Sequence, residues 1–185
     1  MSKFGQHKVT WVTYVLYVQL FILLTGIDQF TKDLITKSFA IAQVKPVIGG
    51  FFSLMYVRNK GSAFSMFANQ SWGVKVLSIV SAIALVVVLF IAFFVLTKFK
   101  STRLCTCLIF LAAGTLGNLI DRVRLNYVVD FLRFDFGSYT FPIFNVADIC
   151  VTVSCIVLAV LLIFSDRFIP EIPFSSDKSE EEKHD

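Results

Sequence analysis

With 185 residues, 56% of them hydrophobic and only 16% charged, this chain is more apolar than the roughly 45–50% usual for a soluble domain. Its mean hydropathy of +0.76 and its 21 phenylalanines indicate a polytopic membrane protein of one domain, not a soluble enzyme with an anchor. The formal net charge of +4 is small and dispersed, and no basic cluster is interleaved with aromatics, which argues against nucleic acid as a partner.

Four apolar runs are long enough to span a bilayer, since about 20 residues cross the hydrocarbon core. They cover residues 9–27, 74–97, 104–121 and 144–165. The expected fold is an all-α membrane protein of four transmembrane helices, with a small extracytoplasmic β-rich loop region. Lys3 and Lys8 precede the first run as in a signal peptide. The run is long and no small-residue cleavage pattern follows, so it reads as a retained helix. The loop 28–75 contains Gly49-Gly50 and Lys60-Gly61 as turn signals among alternating and aromatic residues. This predicts a hairpin or small sheet lying on the membrane. The second run carries no charge over 76–97 and is bracketed by Lys75 and Lys98. A few residues with Lys98, Lys100 and Arg103 lead to the third run. There Ala112, Ala113, Gly114 and Gly117 supply small side chains for close helix contact. The segment 122–142 again looks partly extended. Residues 1–169 form the expected domain. Beyond it, Pro170, Pro173 and the acidic run 177–185 predict a disordered tail without catalytic content.

Alternation of four spans puts both long loops on one side of the membrane, with both tails and the short basic loop on the other. Asp28, Asn59, Asn118, Asp121, Asp130, Asn145 and Asp148 therefore converge on one face. Lys and Arg are shared almost evenly between the sides. The basic residues flanking the spans, Lys3, Lys8, Lys98, Lys100 and Arg103, mildly favour the tail side as cytoplasmic.

Two of the carboxylates sit where hydrocarbon disfavours them: Asp130 in YVVDFLRF and Asp148 in FPIFNVADICVTV. Such a group costs at least about 2.5–3.5 kcal/mol, so it is usually retained for function. Asn118 and Asp121 are spaced to share one helical face, as are Asn145 and Asp148, so the two N-x-x-D pairs would line a polar pocket. A purely structural reading makes Asn145 a helix cap and Asp148 a dipole-favoured acid, but it leaves Asp130 unexplained. Asp121, followed by Arg122, reads equally well as half of a salt bridge closing the third helix and as a catalytic acid. Asp28 and Lys32 read as an interfacial i,i+4 ion pair, and Asn59 in NKGSAF as part of a turn. Two carboxylates in a low-dielectric site share a proton. The ionised member can activate water while the protonated member donates to a carbonyl oxygen. The two histidines, His7 and His184, lie in the tails, which leaves no Ser–His or Cys–His arrangement and no expected metal site. Cys105, Cys107, Cys150 and Cys155 fall in apolar runs and read as packing residues without a disulfide framework.

Four motifs together resemble lipoprotein signal peptidase, also called signal peptidase II: DQFTK at 28–32, NKGSAF at 59–64, GTLGNLIDR through VVDF over 114–131, and FNVAD at 144–148. The resemblance implies a bacterial inner-membrane aspartyl protease of four helices, without a cofactor. Such enzymes cut diacylglyceryl-modified prolipoproteins before the lipid-modified cysteine. It implies Asp130 and Asp148 as the catalytic pair, with Asp28, Lys32, Asn59, Gly114, Asn118, Asp121, Arg122 and Asn145 as supporting or substrate-binding positions. It also implies a periplasmic active site, cytoplasmic termini, and inhibition by the cyclic peptide globomycin. Ser62 stands where that family usually has Ala. Asn126 stands where Gly often precedes the Y-V-V-D stretch, and Asn tolerates positive φ better than most residues. Phe51, Phe52, Phe64 and Phe67 are expected to clamp the substrate and its lipid. The rival readings are a proton-coupled transporter, which would spread acids through the membrane depth, and a non-catalytic scaffold, for which Asp→Asn changes would be silent.

Overall fold

The computed structural model describes residues 9–61 and 72–164. Ser62, Phe64, Phe67 and the acidic tail lie outside the described residues. The elements in chain order are α1 (Trp11–Ser38), β1 (Val44–Ile48), β2 (Phe52–Asn59), α2 (Gly73–Phe94), α3 (Thr102–Leu125), β3 (Val128–Phe136), β4 (Tyr139–Thr140) and α4 (Val146–Phe164). A π-helical turn, Val95–Phe99, continues α2. It ends at Lys100, whose left-handed backbone (φ 52°) turns the chain toward α3.

Among the described residues three helical stretches, Trp11–Ser38, Gly73–Phe99 and Thr102–Leu125, are long and apolar enough to cross a membrane. α4 adds a shorter apolar stretch, Val146–Leu161. Large apolar side chains such as Ile83, Val86 and Phe90 on α2 and Val153 and Ile156 on α4 face outward, as expected when lipid is the solvent. α3 is central and packs on α1, α2 and α4. Its small residues permit this: Ala112 and Ala113 are fully enclosed. A Cβ at Gly114 would meet the Ala147 carbonyl, and one at Gly117 the Asp28 carboxylate. Cys105 lies in the apolar core shared by α2 and α3, a packing role.

α1 outlasts its apolar run. The run ends at Ile27, but the helix continues to Ser38. The polar turns are tied down by an i,i+4 pair, Lys37 Nζ to Asp33 Oδ2 at 2.6 Å, and by hydroxyls of Thr31 and Thr36 donating to backbone carbonyls of the preceding turn. β1 and β2 form the expected hairpin, turning at Gly49-Gly50 with Gly50 at φ 72°. The segment after α3 is extended as expected. The structure adds that β2 pairs antiparallel with β3, so that both loops make one sheet of order β1-β2-β3-β4. That pairing sets Val57 opposite Asp130 and Phe52 opposite Phe134. Phe52, Phe134 and Phe144 stack along the sheet at centroid spacings of 4.8 and 5.8 Å.

Two chain reversals fix the site. Asn126 ends α3 in the left-handed region (φ 61°), its N–H donating to the Arg122 carbonyl at 3.1 Å. β3 follows at once. α4 begins at Val146, later than the apolar run that starts at residue 144, because Phe144 is held to the sheet: the Leu132 N–H donates to its carbonyl at 2.8 Å.

Candidate active site

Four elements meet at one end of the helices: the polar extension of α1, the last turns of α3, strand β3 and the first turn of α4. Asn145 is the residue before α4, and its Oδ1 accepts the Asp148 N–H at 2.9 Å. In return Asp148 Oδ2 accepts the Asn145 N–H at 3.2 Å. This reciprocal arrangement is a capping box. A third donor of that helix end, the Ala147 N–H, is taken by Asp28 Oδ1 of α1 at 2.8 Å. A carboxylate there satisfies an orphan donor and complements the helix dipole.

The expected facing of the two N-x-x-D pairs is present only in part. Asn118 Nδ2 donates to Asp148 Oδ1 at 2.8 Å, and Asn145 Nδ2 donates to Asp130 Oδ1 at 2.7 Å. Asn145 Nδ2 also reaches Asn118 Oδ1 at 3.1 Å. Asn59, at the end of β2, donates from Nδ2 to Asp130 Oδ2 at 2.9 Å, while its own Oδ1 accepts the Gly61 N–H. Asn59 therefore both shapes a turn and touches Asp130. Asp130 is buried, 3% exposed, and Asp148 is half-buried. Burial pushes the Asp130 carboxyl from an ordinary 3.8 up to about 7, and the neighbouring Asp148 charge adds to the rise, as desolvation and like charge both penalise the ionised form.

Asp121 goes elsewhere. Its Oδ2 lies 3.1 Å from Lys32 Nζ and accepts the Val129 N–H at 3.0 Å, pinning the start of β3 to α3. Among the described residues Asp121 pairs with Lys32, so the expected salt bridge to Arg122 is corrected. The adjacent Arg122 is half-buried and interacts electrostatically with Asp148, Asp130 and Asp121. The Asp28–Lys32 pair is present at 2.8 Å, but it is buried at 1% and 3% exposure rather than interfacial. Lys32 Nζ makes a third contact, to Asn118 Oδ1 at 2.9 Å. Gln29, to which the sequence reading gave no role, spans the same cluster. Its Nε2 donates to the Gly117 carbonyl at 3.0 Å and to Asp121 Oδ1 at 3.1 Å. The i,i+3 spacing of Gln29 and Lys32 was the available signal, since it puts both on one face of a helix. Gly114 and Gly117 contribute space: α4 and Asp28 occupy the volume where side chains would stand.

The assembled group is a buried lysine shared by two acids, two asparagines in series, and two further aspartates, all at one end of an apolar helix bundle. The family described as "Signal peptidase (SPase) II" matches residues 20–164. A "Lipoprotein signal peptidase" from Syntrophotalea carbinolica is 42% identical over 140 residues, covering 74% of this chain and 85% of that protein. Another from Enterococcus faecalis is 36% identical over 157 residues, covering 85% and 93%. The fold resembles a solved structure described as "Bacterial membrane enzyme structure by the in meso method at 1.9 A resolution". The TM-score is 0.72 at 28% identity, over 81% of this chain and 94% of that one. These features define a multi-pass membrane peptidase. The chain belongs to the signal peptidase II family.

Proposed function

We propose that this protein is an aspartyl endopeptidase that removes signal peptides from diacylglyceryl-modified prolipoproteins, cutting before the modified cysteine. The observation that carries the reading is the convergence of Asp130 and Asp148 on Asn145, which donates to one carboxylate through its side chain and to the other through its backbone. In this mechanism Asp130, the buried member, carries the shared proton, and Asp148, open on one side, is ionised. Asp148 takes a proton from a water molecule, and the oxygen attacks the scissile carbonyl carbon. Asp130 gives its proton to the carbonyl oxygen, forming a tetrahedral diol. Collapse of that diol breaks the C–N bond: the leaving amine takes the proton held by Asp148, and one diol hydroxyl returns its proton to Asp130, leaving the new carboxyl group and restoring the pair. Asn59, Asn118 and Asn145 orient the pair. Arg122 offers positive charge toward both aspartates.

In this reading α4 serves as a fourth span, and, as the family resemblance implies, the site faces the periplasm of the bacterial inner membrane with both termini in the cytoplasm. Phe51 and Phe52, with Phe64 and Phe67 of the loop, clamp the substrate lipid. Globomycin competes for the same site. A proton-relay role is disfavoured because the acids gather at one end and α2 carries none. The test uses purified protein in detergent with a diacylglyceryl-modified prolipoprotein. Asp130→Asn and Asp148→Asn should each lower cleavage by about 10²–10⁴-fold or more, as expected for loss of acid–base catalysis, while leaving the helical circular dichroism intact. Full activity in both folded variants would overturn the assignment.

A further inference from the structure

A cavity of about 380 Å³ lies between the polar end of α1, the end of α3 and strand β2, and neither Asp130 nor Asp148 lines it. Lys32 and Asp121 form part of its wall, so it backs onto the buried ion-pair cluster. Its outer part carries Arg58 and Arg124. The Arg58 guanidinium is preset: its carbon lies 4.9 Å from the Tyr127 ring centroid and 5.7 Å from that of Tyr56. Its Nε donates to Tyr56 Oη at 3.0 Å. The two acids of the cavity are already neutralised, Asp33 by Lys37 and Asp121 by Lys32. Among the described residues neither Arg58 nor Arg124 has a carboxylate within ion-pair distance. The unmatched charge of the cavity is thus positive, supplied by two forked side chains suited to phosphate oxygens.

Its rim is apolar. Ile41 and Leu125 border the cavity and are 56% and 37% exposed. A phosphate-bearing group with hydrocarbon attached would satisfy both parts. We propose that this cavity is a binding site for the headgroup of an anionic phospholipid, with its phosphodiester on Arg58 and Arg124 and its acyl chains along Ile41 and Leu125. The inference needs only the membrane setting, and it stands or falls independently of the peptidase chemistry.

The experiment uses the full chain in neutral detergent. Phosphatidylglycerol and phosphatidylcholine of identical chains are added at equal mole fraction, with inorganic phosphate as a parallel arm. Retained lipid is counted by native mass spectrometry, and Tm is followed. Phosphatidylglycerol should be retained preferentially and raise Tm. Arg124→Gln and Arg58→Gln should each weaken its retention by about fivefold, the loss expected for one cation near an anionic lipid. Lys45→Gln, on an exposed strand outside the cavity, should change nothing. Arg124 is exposed and has no ion pair among the described residues, so its variant remains informative if Arg58→Gln misfolds. Equal retention of the two lipids, or equal effects of Lys45→Gln and Arg124→Gln, would overturn the site. A Tm rise with inorganic phosphate alone, equal to that with phosphatidylglycerol, would overturn the lipid assignment in favour of free phosphate.

Discussion

Each asparagine of the site has one chemically sensible orientation. Asn118 Oδ1 faces the Lys32 ammonium and the Asn145 amide, which leaves its Nδ2 to Asp148. Asn145 Oδ1 is occupied by the Asp148 N–H, which leaves its Nδ2 to Asp130. The lysine thus sets the polarity of a chain of amides that ends on both carboxylates. Asp130 carries the measurable consequence. Its carboxyl is raised to about 7, so between about pH 4 and 7 the unfolded chain has released this proton while the folded chain retains it. Stability from this group therefore falls as pH rises through that window. Thermal unfolding of wild type should shift to lower Tm over the window, and Asp130→Asn should lack this component. The rate of cleavage should decline above about pH 7, as the shared proton is lost. The N-x-x-D spacings made Asn118, Asn145 and Asp148 legible in the sequence. The partner of Asp121 was not, because Arg122 is its chain neighbour and Lys32 reaches it only through the packing of α1 on α3.

Among the elements, hydropathy located α2 and the apolar parts of α1, α3 and α4, and the Gly49-Gly50 turn located the hairpin. The lower half of α1 was hidden, because Asp28 and Lys32 look like surface residues until the acid caps another helix and the base is shared between acids. The β2–β3 pairing was hidden too. It joins segments separated by two helices, and alternation within a strand does not name its neighbour. Small residues on α3 were legible as a contact face, and the structure says what each accommodates. At Gly114 the obstacle is backbone, the Ala147 carbonyl, whereas at Gly117 it is the end of the Asp28 side chain. Gly114→Ala should therefore displace α4. It should cost about 1–3 kcal/mol, the usual range for overpacking, and Gly117→Ala should cost a comparable amount, because the Asp28 carboxylate it meets is buried and held by Lys32 and the Ala147 N–H. Chemical denaturation in mixed micelles would compare the two.

For the whole molecule, an apolar bundle carries at one end a cluster that water would otherwise claim. The helix packing that encloses it relies on Lys32, which joins α1 to α3 by contacts to Asp28, Asp121 and Asn118. Lys32→Met would leave two buried carboxylates without a cation. It should destabilise the fold by about 3–5 kcal/mol, as when one partner of a buried ion pair is removed. The unfolding midpoint of the variant should recover in part when Asp121→Asn is added, since that change removes one of the stranded charges.

The cap that Asp28 places on Ala147 joins the first helix of the bundle to the beginning of the last. During synthesis α1, β1, β2, α2, α3 and β3 all precede α4, so this acid waits with its lysine for a helix end that does not yet exist. Asp148 arrives only with that helix, in the same turn that Asp28 receives. In the proposed mechanism the pair of acids is therefore incomplete until α4 has formed, and an intermediate lacking α4 should not cleave.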